Sequence, residues 1–194
     1  QAKDDGAFNL APDDLRIDDH AAVHGGDHAV HPGNASSAYR YLGDLSDEAL
    51  PAIPSALLAL ADGKPGEHGL KAEYFANQSL EGAPALVRTD ATVDFQWGGG
   101  TPDPKLPIDH FSARWTGKFT PAVSGEHRLG IASDDGSRLF LDGKQIVDAW
   151  RDHAMESATT KVTLEAGRAY DIKVEFYENT ADAAMVLGMR APGP

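Results

Sequence analysis

The sequence predicts a mostly β fold: a β-sandwich or barrel preceded by a less regular, partly helical N-terminal segment. Three observations carry that prediction. From Leu70 onward, short runs such as HRLGIAS, RLFLDGKQIV and AAMVLGMR alternate, or nearly alternate, apolar and polar residues. In a further run Tyr170, Ile172, Val174 and Phe176 share one face while Asp171, Lys173 and Glu175 share the other, the two-residue period of a strand buried on one side. Turn chemistry lies between the runs: Asp142-Gly143 is a two-residue hairpin signal and Glu165-Ala166-Gly167 a second turn. Short strands broken by Gly, Pro and Asp, without an internal repeat, describe a sandwich or barrel.

Residues 1 to 66 differ in texture, with four basic and eleven acidic residues and Asp-Asp pairs at Asp4-Asp5, Asp13-Asp14 and Asp18-Asp19. One periodic segment, Ser46 to Gly63, predicts a helix near residues 46–62. Ser46 suits its cap, Asp47 and Glu48 its first turn, and Gly63 its end. Leu50, Ile53, Leu57 and Leu60 recur at helical spacing. Pro51 is tolerable in an early turn, whereas Pro54 kinks the helix or delays its start. GKPGEHG, Gly63 to Gly69, then reads as an entry loop into a β domain over residues 69–192.

Seventeen Lys and Arg against thirty Asp and Glu give the 194-residue chain a formal charge of -13. That balance argues against nucleic acid, which needs a basic footprint, and against docking on an anionic membrane. It suits a salty or calcium-containing medium. The absence of cysteine excludes disulfides, thiolate zinc sites and cysteine nucleophiles. No apolar run approaches the roughly 18 residues of a membrane-spanning helix, so no membrane insertion is expected. Gln1 suits either a mature end left by signal removal or a cut within a longer chain.

Ordered landmarks run along the β region: LKAEYF from Leu70, Trp97 before a Gly/Pro loop, FSARWTG, SGEH, SDDGSRLFLDG, Trp150, and VEFYEN ending at Asn179. In this order and spacing they resemble the PA14 domain family over residues 69–192. Phe111, Trp115 and Phe119 fall on one strand face, and Trp97 and Trp150 serve as large core or rim fillers. The resemblance implies a β-rich accessory module of the kind found in secreted glycosidases, adhesins and toxins. In several such modules an Asp-Asp pair joined by a cis peptide holds calcium, which ligates sugar hydroxyls directly. The matching residues here are Asp134 and Asp135. Other members of the family are structural.

Read from the residues alone, Asp134-Asp135-Gly136 leaves three readings open: a solvated turn, a catalytic pair, or the floor of a cation site. A glycosidase needs carboxylates about 5–9 Å apart across the sugar, which adjacent aspartates on one tight loop do not readily provide. No Ser-His-Asp order or nucleophile elbow stands out, so the domain is expected to be non-catalytic. Calcium takes roughly six to eight oxygen ligands, more than two aspartates supply. The loop Glu178 to Ala184 offers Asn179 and Asp182, and in calcium-binding relatives an Asn side chain and carbonyls from this region complete the shell. Thr180, Ala181 and Ala183 stand where many relatives carry glycine. The family fold also puts Arg151, Asp152 and His153, just after Trp150, on the rim where a sugar would lie.

A separate feature is DDHAAVHGGDHAVHPG, where His20, His24, His28 and His31 gather half of the eight histidines. With Asp27 they form a candidate second metal site for zinc or copper, although Gly25-Gly26 argues against one continuous helix and no His-Glu-x-x-His signature is present. The resemblance does not reach this segment. The leading expectation is a calcium-dependent carbohydrate-binding module of a secreted, periplasmic or cell-surface protein. Its partners would be a glycan or polysaccharide and a neighbouring catalytic domain. The alternative is a structural or interaction domain that binds no sugar itself, and a metalloenzyme built on the histidines comes last.

Overall fold

The computed structural model describes residues 50–193. They form two antiparallel sheets. The larger is ordered β3 (Leu86–Asp90), β2 (Leu70–Phe75), β5 (Ser112–Phe119), β10 (Tyr170–Tyr177), β7 (Ser137–Leu141) and β8 (Lys144–Ala149). The two-residue strand β1 (Leu58–Ala59) pairs with the far end of β5. The smaller sheet is ordered β4 (Asp94–Gly98), β11 (Ala183–Arg190), β6 (Gly125–Asp134) and β9 (Glu156–Leu164). The mostly β prediction holds. The Asp142-Gly143 hairpin joins β7 to β8 with φ of 47° and 77° at its two residues, the left-handed pair that such a tight turn requires.

Between the sheets lies one apolar core. Tyr74, Phe111, Trp115, Phe119, Val174 and Phe176 enter it from the larger sheet and its approaches, and Leu129, Ile131, Met185 and Leu187 from the smaller. Phe111, Trp115 and Phe119 do share a buried face. Trp97 fills the rim of the core, edge-on to Phe111 at 5.7 Å between ring centroids. Asp90 is a charged group buried among these apolar ones. Its buried carboxylate accepts from Tyr74 Oη at 2.5 Å, Arg88 Nε at 2.6 Å and Trp115 Nε1 at 2.9 Å, which offsets the cost of burying its charge.

Over residues 50–62 the expected helix is absent, and Ser46 to Glu48 lie outside the described residues. The two prolines account for the difference. Pro54 sits extended at φ -66° and ψ 145°; it offers no N–H and pushes the residue before it out of helical backbone. One 3₁₀ turn, Ser55–Leu57, is all that forms. Leu50, Ile53 and Leu58 are instead buried from extended chain. Ile53 N donates to Leu187 O and Met189 N to Pro51 O, both at 2.9 Å, so this stretch lies against β11 before β1 joins β5. The histidine cluster, His20 to His31, also lies outside the described residues.

The chain changes sheets at one end of the molecule. β6 belongs to the smaller sheet and β7 to the larger, so the Asp135-Gly136 corner crosses between them; β10 and β11 make the reverse crossing through residues 178–182. Register sets the two crossings side by side, with Asp134 opposite Ala184 and Ser137 opposite Phe176.

The Asp90 network gives a direct test of the core. Trp115→Phe keeps most of the buried ring but removes one donor from a buried carboxylate, and it is expected to cost about 2–3 kcal/mol. Urea unfolding measures this; a loss below about 1 kcal/mol would mean that Asp90 does not depend on the indole.

Candidate functional site

The two crossings bring three carboxylates together. Asp134, Asp135 and Glu178 each offer an oxygen within 4.8 Å of the others, and they are only 8%, 7% and 0% exposed. The Asp134-Asp135 peptide is cis, as the resemblance led one to expect. Ser133 Oγ donates to Asp135 O at 2.6 Å and lies 2.6 Å from Ser137 Oγ, so the corner is tied from beneath. Gly136 is required there for space: a Cβ would run into the Tyr177 ring.

Electrostatics at this corner are unfavourable. Burial first, and then the neighbouring Asp135 and Asp182, push the Asp134 carboxyl up to about 8 against a weak opposing hydrogen bond from the Met155 backbone. Burial, followed by Asp135, Asp134, Asp109 and Asp182, pushes Glu178 up to about 9. Among the described residues no basic side chain offsets this repulsion. Both carboxylate oxygens of Glu178 are buried without a hydrogen-bond partner among the described residues, an arrangement that costs several kcal/mol in the charged form.

A hard divalent cation fits this donor set. The ligating atoms are all oxygens, and oxygens on opposite sides of a calcium ion lie at most about 5 Å apart, twice the usual 2.3–2.6 Å bond. Glu178 was not singled out from the sequence, yet a signal was there. It continues the even-numbered series Tyr170, Ile172, Val174, Phe176 that faces the core, and a carboxylate on an apolar face calls for a partner.

The other anticipated residues are placed differently. Asn179 N donates to Asp135 Oδ2 at 2.9 Å, but its side chain turns to the far side. There Nδ2 donates to Asp152 Oδ2 at 3.0 Å and Oδ1 accepts from Gln78 Nε2 at 3.1 Å. Asp182 is close enough to raise Asp134 and Glu178. His153 N donates to Asp135 Oδ1 at 3.2 Å, while its ring lies between the Ala149 and Ala154 carbonyls. Arg151 is drawn off to Glu156 at 2.6 Å. The Asp135 carboxylate therefore holds two loops by their backbones, one through each oxygen.

Beside the acidic corner is an open pocket of about 310 Å³ lined by Gln78, Trp150, Asp152, Tyr177 and Asn179. Tyr177 Oη donates to Asp152 Oδ1 at 2.6 Å, and burial together with Asp152 raises the phenol above its ordinary range. Trp150 packs against Tyr177 at 4.8 Å. The Arg138 guanidinium lies 4.1 Å from the centre of the Trp150 ring and is itself fixed by Glu175 at 2.6 Å. Burial pushes Glu175 up, but hydrogen bonds from Arg138 and Arg114 outweigh it and hold the carboxyl below its usual range.

Comparison with known proteins agrees with this architecture. A profile of the PA14 domain matches residues 66–191. The anti-sigma-I factor RsgI3 of Acetivibrio thermocellus is 39% identical over 119 residues, 61% of this chain and 18% of that protein. A β-glucosidase of Rhizobium radiobacter is 34% identical over 113 residues, 54% of this chain and 14% of the enzyme. The chain thus spans less than a fifth of these curated relatives. An anti-sigma factor domain-containing protein from Clostridium clariflavum superposes with a TM-score of 0.61 at 38% identity, over 64% of this chain and 42% of the other. The PA14 sugar-binding domain of an RTX adhesin matches at 0.50 and 14% identity, over 63% and 89%, a likeness of fold alone. Two antiparallel sheets, an aspartate pair at the crossing between them and a profile match over most of the described residues place this chain in the PA14 domain family.

Proposed function

We propose that this domain is a non-catalytic, calcium-dependent carbohydrate-binding module, with Asp134, Asp135 and Glu178 as the carboxylate ligands of the ion. The observation that carries the reading is the buried Glu178 carboxylate, unpartnered at both oxygens and facing two more acids. Bound there, calcium would supply the positive charge that the corner lacks. The chain's own residues do the rest: Asp135 holds the loops around residues 153 and 179, and those loops carry polar groups and an aromatic ring to an open pocket. The β-glucosidase relative supports the ligand class. The reading extends to a secreted, periplasmic or cell-surface setting, a glycan or polysaccharide as ligand, and a catalytic neighbour in a longer chain. Asp182 and the side chain of Asn179 are secondary candidates for the shell, the latter only if it swings from Asp152.

Calorimetric calcium titration tests the ion. Asp135→Asn and Glu178→Gln are each expected to weaken binding about 10-fold or more, roughly 1.4 kcal/mol per decade. Wild-type affinity in both variants would reject the assignment. Saccharide titrations with and without chelator then test the ligand. Binding that survives chelation counts against calcium dependence, and no binding at all leaves the domain as a structural accessory module.

A pH dependence follows from the raised carboxyls. In the fold Asp134 and Glu178 keep their protons up to pH about 8 and about 9, whereas an unfolded chain releases them near pH 4. Between those limits the folded state binds more protons, so stability falls as pH rises. Metal-free protein is expected to melt at least about 5 °C lower at pH 8 than at pH 5.5, and calcium should flatten that slope. Glu178→Gln should melt above wild type at pH 8 in chelator. A metal-free melting point that climbs over this range would contradict the acidic-corner account.

A further inference from the structure

We infer that the outer face of the larger sheet carries a seat for paired carboxylates, made by Arg114, Arg138 and Lys173, and that the acidic stretch Asp4 to Asp19 of this same chain is its occupant. The seat uses none of the residues of the acidic corner and stands independently of the carbohydrate reading.

Strand parity builds the seat. Arg114, Glu175 and Arg138 stand in one register row across β5, β10 and β7. Their neighbours Trp115, Val174 and Leu139 face the core, so this row faces outward. Both arginines grip Glu175 through Nε, at 3.0 and 2.6 Å, and Lys173 Nζ approaches it at 3.7 Å. The Nη groups of both make no hydrogen bond among the described residues, so each guanidinium keeps four of its five N–H donors for a ligand. Glu175 itself is only 4% exposed, covered by the cations it holds. Aromatic rings fix the three heads: Arg114 over Phe75 at 5.6 Å, Arg138 over Trp150 at 4.1 Å and Lys173 over Phe140 at 4.0 Å.

Three cations against one carboxylate leave a local excess of positive charge. The other acids of this face are answered: Glu73 by Lys71 at 2.9 Å and Asp171 by Lys118 at 2.5 Å. Asp148, opposite Arg138, accepts from Trp150 N at 3.1 Å and trims the excess at that margin, which centres it between Arg114 and Lys173.

The matching anions lie earlier in the chain. Residues 1–49 hold ten acidic residues against three basic, with the pairs Asp4-Asp5, Asp13-Asp14 and Asp18-Asp19. Adjacent carboxylates suit two guanidinium forks, because each planar fork takes a carboxylate through two parallel N–H bonds. Reach is ample. The 31 residues from Asp19 to Leu50 span up to about 100 Å when extended, against a radius of gyration of about 15 Å for a domain of this size. Exposed ion pairs are individually weak, but an occupant on the same chain binds intramolecularly and needs no strong pair. A filled seat sets the acidic stretch beside Trp150, since Arg138 contacts both.

A spin label on the intact chain tests this. With no native cysteine, Ala11→Cys gives one attachment point for a nitroxide between the first two aspartate pairs. The amide signals of Arg114, Lys173 and Arg138 should lose at least about 2-fold in intensity at about 10 mM salt, where the Debye length is about 30 Å, and regain it at about 1 M, where it is about 3 Å. Asp13→Asn, Asp14→Asn, Asp18→Asn and Asp19→Asn together change no residue of either sheet and should abolish the broadening. Lys173→Gln should weaken it at an unchanged Tm. Broadening that persists in the four-Asn protein overturns the role of the paired carboxylates. Its absence at low salt, or its confinement to the smaller sheet, overturns the seat. Broadening of a ¹⁵N-labelled copy by a nitroxide on a separate copy, with none within the chain, overturns the in-chain occupant in favour of a second molecule.

Discussion

Asp134, Asp135 and Glu178 repel one another in a place with almost no water to screen them, and this end of the domain is organised around that repulsion. In a low-dielectric corner, like charges a few ångströms apart interact far more strongly than on the surface. Protonation or a cation relieves the strain, and burial together with the neighbouring acids raises the Asp134 and Glu178 carboxyls toward the first. The corner persists because it is built from chain crossings that the rest of the fold enforces. The two crossings are anchored by the pairing of Ser137 with Phe176 and of Asp134 with Ala184.

The core supplies the stiffness that makes this possible. Aromatic rings from both sheets interlock around Phe95, Trp97, Phe111, Trp115 and Phe176, and Glu175 pins three adjacent strands through Arg114 and Arg138. That same pin continues outward, since Arg138 rests on Trp150 and Trp150 on Tyr177. A rigid interior is thereby carried to the pocket by a sequence of direct contacts.

Much of the fold was legible because it depends on local rules. Alternation in Tyr170 to Phe176 and the Asp142-Gly143 turn gave strands and a hairpin where they occur. The segment after Leu50 misled because leucine spacing suits a helix and an extended strap alike, and its two prolines decide the matter through backbone sterics. At the site, the aspartate pair is visible as a motif. Glu178 is visible only if strand parity is followed past the last apolar residue. Gln78 is not visible at all: it reaches Glu178 across 100 residues of sequence, and no local pattern encodes such a contact.

The double use of the Asp135 carboxylate has a consequence for how such a domain diversifies. It grips its loops at the amide nitrogens of His153 and Asn179, groups that every residue but proline possesses. The scaffold is therefore blind to which side chains the loops display. Side chains at the pocket wall can be exchanged while the mounting stays untouched, much as different lenses share one bayonet.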